Sequence, residues 1–366
     1  DWSSDVCSSD LLLPVAPNQK GEQRSGWPLY AAFMGGSLAL GFVIGSSCRT
    51  SPARATDSGS ATAGDASSFA GSAMPPTIPG RPAPAASPCP EGMIPITGGT
   101  FTMGSPKAAI DSGEASDDEV EHQVTLTPYC IDQTEVTVAA YRQCATKMQN
   151  GVQCSGFPST SRHPADDRSF DKWCNGNDLL RESDPINCVE WSMANVYCRW
   201  AGKSLPTEAQ WEHAARGAVG RSYPWGDEQP DASRINACGP ECAQMDSSSI
   251  PDVMPGVMYE EGDRWPTTAP TGLVPGDVSA FGVRDMAGNV HEWVADWYAP
   301  YDISASTDPL RHTALPGDAR RVVRGGSWRS FKPSEARNAA RRKALPEMRH
   351  IAVGFRCAKA QAPEGQ

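Results

Sequence analysis

Positive charge is in short supply in this 366-residue chain. Its 32 Lys and Arg face 43 Asp and Glu, a formal net charge of −11. Nucleic-acid binding needs clustered cations to displace counterions, so nucleic acid is excluded as a partner class. One basic cluster exists, Arg337 to Lys343, and it reads as part of the fold's own ion pairing. Zinc-site patterns are also missing. None of the twelve cysteines forms a CxxC pair or joins a histidine at the close spacing of a zinc site. No internal repeat appears, which excludes a solenoid or propeller. What is abundant is Gly (34), Pro (32) and Trp (11), a composition of loops anchored by large aromatic wedges and not of helical bundles.

Twelve cysteines without a metal pattern imply disulfides, and disulfides imply an oxidising compartment. The opening DWSSDVCSSDL reads as neither signal nor fold element, so residues 1–19 are set aside as a non-native or disordered leader. From residue 20 to 48 the layout is that of a bacterial secretion signal: a charged stretch, Lys20 to Arg24, then an uncharged run, Trp27 to Gly45, ending in Gly45-Ser46-Ser47-Cys48. Small residues before a cysteine resemble a lipobox, with Cys48 as the acylated residue. The other reading of the same run is a single-span anchor of about the minimum length. Either one tethers the rest of the chain to a membrane, outside the cytoplasm. Residues 49–88 are rich in Ala, Pro, Ser and Thr and too poor in large apolar side chains to order themselves, so they read as a linker. The folded unit is 89–360, followed by a short tail, 361–366. With Cys7 and Cys48 set apart, ten cysteines remain, an even number.

Within 89–360, Met93 to Ser105 reads as a hairpin turning at Gly98-Gly99, and His122 to Asp132 as one alternating strand. Helices are expected over Thr134–Ala145, over Val189–Ala201 with Gly202 as its stop, and from Thr207. There, Gln210 completes a capping-box spacing and Gly217 suits the C-terminal end. Short strand-like pieces fill the last third. The fold class is α+β with little regular structure. Trp191, Trp200, Trp211, Trp225, Trp293, Trp297 and Trp328 are read as packing wedges, each burying on the order of 200 Å². His213 and His291 each stand alone beside Trp and Glu and are read as packing residues, not ligands.

Several strings occur together and in order: IPITGGTFTMGS, YCIDQTEVTVAAY, PINCVEWSMANVYCRWAGKSLPTEAQWEHAARG, YPWGDE, TAPTG, FGVRDMAGNVHEWVADWY, VVRGGSWRS and GFRCA. In this the chain resembles formylglycine-generating enzymes, the sulfatase-modifying factors, over essentially all of 89–360. The resemblance implies a large, irregular fold like that of C-type lectins. In the active enzymes a cysteine pair in a GGSWxCxxxxC pattern binds copper, and this chain reads GGSWRSFKPSE, placing Ser330 and Glu335 there. Hard oxygen ligands do not replace thiolates for Cu(I), so copper and its oxidase reaction are not expected. Ser327 and Arg337 are the neighbouring groove positions. A family disulfide is absent at Ala215 and Ala340. A second one is implied between Cys198 and Cys357, where a long closed loop stabilises by roughly 3–5 kcal/mol. Cys238 and Cys242 can pair locally, and the other pairings stay open.

The resemblance also implies structural calcium. One set is Asp285, the carbonyls of Gly288 and Val290, and Glu292. A second is Asn236, the Ala237 carbonyl, Asp263 and the Trp265 carbonyl, in a register loosened by the acidic insertion Tyr259 to Asp263. Both are hard oxygen sets suited to Ca²⁺. The expected function is that of a tethered, non-catalytic protein holding a peptide or glycan in the former active-site groove. Two alternatives stand beside it. One is an enzyme maturing secreted proteins, by oxidase-like or new chemistry at Ser330 and Glu335 with Arg337 or Arg341. The other is a purely structural envelope protein.

Overall fold

The computed structural model describes residues 89–156, 158, 171–245, 256–304 and 306–361. The leader, signal or anchor, and linker assigned to residues 1–88 lie outside them, as do 362–366 of the tail. Among the described residues five helices, α1 (Lys107–Asp111), α2 (Val138–Thr146), α3 (Trp191–Trp200), α4 (Glu208–Arg216) and α5 (Pro240–Ala243), alternate with ten short strands in three small sheets. This is the α+β fold with low regular structure that the sequence implies.

The expected hairpin over Met93 to Ser105 does not form. β1 (Met93–Ile96) pairs with β4 (Tyr129–Asp132), whereas β2 (Gly99–Met103) pairs with β3 (His122–Leu126), so each sequence segment is divided between two sheets. Both segments change sheet at one place. A Cβ on Gly98 would come within 2.4 Å of the Leu126 carbonyl oxygen, so only glycine allows the crossing. Pro128 has no N–H to continue the ladder, which splits the single strand expected over His122 to Asp132. β10 (Ala358–Ala360) takes the other edge of β4, and β6 (Ser306–Thr307) lies parallel to β3. The third sheet runs β8 (Arg341–Ala344), β7 (Arg321–Arg324), β5 (His291–Trp297), β9 (Val353–Gly354).

α4 begins as its sequence dictates. The Thr207 hydroxyl accepts from the Gln210 amide and the Gln210 side chain accepts from the Thr207 amide. Gly217 ends the helix at φ 68°. α2 starts later than its pattern suggests, capped by Thr137. Val136 is already committed elsewhere: its N–H donates to Phe355 O and its carbonyl accepts from Ile186 N. α3 is likewise shorter than expected, and Gly202 follows it at φ 70°.

Trp211, Trp293 and Trp328 are fully buried and Trp200 nearly so. The Trp293 indole donates to Val189 O at 2.8 Å. Arg321 is held between the rings of Trp191 and Trp297, its guanidinium carbon 3.6 Å from each centroid. Five disulfides join Cys89–Cys130, Cys144–Cys154, Cys174–Cys188, Cys198–Cys357 and Cys238–Cys242. They include both pairings named from the sequence.

The Arg337 to Lys343 cluster does pair within the fold. Arg324 and Arg341 face each other across β7 and β8. α4 answers them with carboxylates one helical turn apart. Glu208 takes Arg341 through two bonds of 2.7 and 2.9 Å, and Glu212 takes Arg324 and, at 2.7 Å, Arg216. All four ends of the Arg324–Glu212 and Arg341–Glu208 pairs are nearly or fully buried. Removing one end strands its partner's charge. Arg324→Met is therefore expected to lower unfolding free energy by about 3–5 kcal/mol, read from the urea midpoint.

His213 packs against Phe101 and Phe281 with ring centroids 4.7 and 5.2 Å apart. Burial pushes its pKa down to about 4. A depressed histidine stabilises above its unfolded pKa near 6.5, and that contribution is lost as pH falls toward 4. Thermal unfolding of His213→Phe should accordingly show a shallower loss of Tm than the parent between pH 6.5 and 4, with little difference in slope above pH 7.

Candidate functional site

The segment after β7 makes a tight loop because Gly325 and Gly326 adopt φ 96° and 70°. A side chain on Gly325 would press on the Trp211 ring, with Cζ2 at 3.0 Å. On this loop sit Ser327 and the two positions that the resemblance gives to copper thiolates. Ser330 is 3% exposed, and its hydroxyl oxygen accepts from the Ser327 amide at 3.1 Å. Ser330 also ties the loop through its backbone, donating to Ser327 O and accepting from Cys238 N. Ser327 Oγ accepts from the Arg329 amide at 3.2 Å. Glu335, in a 3₁₀ turn (Pro333–Ala336), accepts from the Phe331 amide at 3.0 Å and faces Arg342 at 3.4 Å.

These are loop-closing contacts. The Ser330 oxygen meets a backbone donor, whereas a nucleophile needs a base to take its proton. Nor are the two arginines of the alternative chemistry at liberty. Arg337 donates to Glu119 at 2.8 and 3.1 Å and to Ser105 Oγ at 2.9 Å, and Arg341 is bound to Glu208.

Beside Glu335 opens a cavity of about 740 Å³. Lys332, Arg342, His291, His350 and Met348 line one part of it, and the acidic turn from Glu114 to Glu119 another. His350 is pushed down to about 3 by burial and by Arg329, and His291 falls well below the usual histidine range by burial and by Arg342. Both present neutral imidazoles at pH 7. The lining thus combines cations, carboxylates and neutral imidazoles, a mixture suited to a polar, uncharged or zwitterionic occupant.

The two implied calcium sets differ. In the first, Glu292 is already matched: Arg356 forks onto it at 2.6 to 3.0 Å and the Trp211 indole donates to it at 2.8 Å. Arg356 also donates to the Asp285 carbonyl at 2.7 Å. Around this guanidinium, however, stand the buried carboxyls of Glu135, Asp277 and Asp285: Glu135 and Asp285 lie against each other, and one oxygen of Asp277 lacks any hydrogen-bond partner. Burial, and for Glu135 and Asp277 the neighbouring charge of Asp285, holds all three carboxyls above the ordinary range. An added cation would relieve this, so the donor set fits one. Among the described residues no three of His, Cys, Asp and Glu converge at metal-ligand spacing. The remaining donors that the resemblance implies are the Gly288 and Val290 carbonyls. Glu135 and Asp277 were not singled out in the sequence; the signal available for Glu135 was a single carboxylate in the β-branched run TEVTV.

Of the second set, two members, the Ala237 carbonyl and Asp263, meet at a side chain. The Tyr259 hydroxyl lies 2.6 Å from Asp263 Oδ2, 3.0 Å from Ile235 O and 3.2 Å from Ala237 O, and accepts from Ala237 N at 3.0 Å. Asp263 Oδ1 accepts from Trp265 N at 2.9 Å. Asn236 donates to Thr267 O and Asn289 Oδ1, leaving its own Oδ1 unpartnered. Asp263 and the Ala237 carbonyl are thus engaged by the phenol, while the Asn236 oxygen lies apart from them.

Comparison with known proteins shows the family. Residues 80–361 match the family described as the sulfatase-modifying factor enzyme 1-like domain. The chain is 32% identical over 314 residues to a formylglycine-generating enzyme of Streptomyces coelicolor, covering 77% of this chain and 94% of that protein. It is 28% identical over 371 residues to the one of Bos taurus, covering 92% of each. Among solved structures it is similar to PvdO from Pseudomonas aeruginosa, with a TM-score of 0.53 and 25% identity over 75% of this chain and 96% of that one.

Because Glu335 closes the loop with an acceptor, Glu335→Ala leaves the Phe331 amide without its partner. A loss of about 1–3 kcal/mol in unfolding free energy is expected, with Glu335→Gln recovering part of it, both measured by chemical denaturation.

Proposed function

The chain belongs to the sulfatase-modifying-factor family, and from that premise we propose a tethered, exported member without oxidase chemistry, whose cavity beside Glu335 holds a peptide or glycan. One observation carries the reading. Ser330 and Glu335, standing where copper thiolates are implied, are buried oxygen groups used to close their own loop. They offer Cu(I) no soft ligand. The adjoining cavity has a volume of about 740 Å³ and a mixed polar lining, features that support a binding site.

Export through Cys48, by lipidation or a membrane anchor, is supported by five disulfides among the described residues, which an oxidising compartment sustains. Calcium belongs to the same proposal at the first set. Asp285 and the Gly288 and Val290 carbonyls would hold it, with Glu292 shared with Arg356. The ion supplies charge compensation to a buried acidic cluster and takes no part in chemistry.

The test combines metal analysis of the purified protein with an aldehyde assay on a cysteine-containing sulfatase-type peptide. No stoichiometric copper and no aldehyde are expected; either one would remove the proposal. Chelation should lower Tm, and calcium at a hundredfold excess over its Kd should restore about 2.7 kcal/mol. That response should vanish in Asp285→Asn.

A further inference from the structure

We infer that residues 106–117 form a lid over the cavity beside Glu335, pivoting on a neck that Arg337 clasps, so that entry to the cavity is set by this loop. The cavity has two unlike walls. One is sheet: Val323 of β7 and Arg341 to Ala344 of β8. The other is the turn 113–119. The loop carrying that turn begins and ends at one place. The Ser105 amide donates to the Glu119 carbonyl at 2.6 Å, and the Ser105 hydroxyl donates to the Glu119 carboxylate at 2.7 Å. Arg337 donates to both residues, at 2.9 Å to Ser105 Oγ and at 2.8 and 3.1 Å to Glu119. All three side chains are buried. A Cβ on Gly104 would lie 2.6 Å from the Glu119 carbonyl oxygen, so the ends close this tightly only with glycine there.

Beyond the neck the loop is bound only to itself. α1 buries none of its residues, Lys107 pairs with Asp111, and the amides of Glu114 and Ala115 both donate to the Ala109 carbonyl. Among the described residues, no hydrogen bond or ion pair runs from 106–117 to anything outside 105–119. A compact surface loop with joined ends and so few outside contacts opens at low free-energy cost. Charge draws it back. Glu114 and Asp117 stand on its side of the cavity, and Lys332, Arg342 and Lys343 stand on the other. That attraction acts through water and weakens as salt shortens its range. A fixed clasp and a loose wall are the two parts a lid requires.

The inference rests on the proposal that this cavity takes an occupant, but its test needs none. Ser334 lines the cavity, and Ser334→Cys in the full chain makes it a reporter. Its labelling by a maleimide on a polyethylene glycol chain and by iodoacetamide is followed peptide by peptide in mass spectrometry. The ratio of the bulky to the small reagent's rate reads entry and cancels the thiol's own reactivity. Replacing residues 107–115 by Gly-Gly is expected to raise that ratio about tenfold. In the unshortened chain, taking salt from about 0.01 to 1 M, which cuts the screening length from about 30 to 3 Å, should raise it too. Glu114→Gln/Asp117→Asn should remove most of that salt response. A ratio unchanged by shortening the loop overturns the lid. So does a ratio insensitive to salt, a measurement that stands even if the shortened chain does not fold. Copper or aldehyde found with the full chain would remove the binding proposal and leave the lid in place.

Discussion

Two buried carboxylates on one helix hold this domain together. Glu208 and Glu212 neutralise Arg341 and Arg324, which would otherwise repel each other across neighbouring strands in the core. The consequences spread from α4. Glu212 also accepts from the Gly104 amide and Arg216 donates to the Gly104 carbonyl, fixing the end of β2. Trp211, on the same helix, donates to Glu292, and Glu292 anchors Arg356. Arg324 reaches further, to the carbonyls of Asn338, Ala339 and Ala340. A fold with so few long elements cannot rely on ladders and helical stripes alone. Its specificity comes from charge pairs that tolerate one arrangement, since any other leaves a desolvated ion.

What could be read in the sequence was local. The capping pair Thr207 and Gln210, the stop at Gly217 and the bridge between Cys238 and Cys242 each depend on residues within one or two turns of each other. The pairing of Cys198 with Cys357 was legible only through resemblance. The sheet switch at Gly98 and Pro128 was not legible, because alternation describes which residues face inward and not which segment lies alongside. Val136 shows the same limit: its sequence suits a helix, yet bonds to residues 50 and more than 200 positions away claim its backbone first.

At the site, positions were easier to read than states. The sequence put Ser330 and Glu335 at the implied copper positions but could not tell that each gives an oxygen to a backbone amide. It marked Asp285 and Glu292 as oxygen donors, but the guanidinium between them and the carboxyls of Glu135 and Asp277 come from segments far apart in the chain. The insertion from Tyr259 to Asp263 loosened the register of the second set, and the hydrogen bond between its first and last residues could not be read from it.

The placement of β10 bears on how the molecule comes into being. β4 lies between β1 and β10, and Cys357, next to β10, bridges back to Cys198 across 159 positions. A chain made from its N-terminus onward can complete β1 against β4 early. It must then wait for nearly its whole length before the open flank of β4 is covered and the Cys198 thiol meets its mate. Until then a sticky edge and a reactive sulfur are exposed side by side. Maturation of this domain therefore waits on Cys357 and β10, and a polypeptide halted shortly before them can close its other four bridges but leaves that flank of β4 bare.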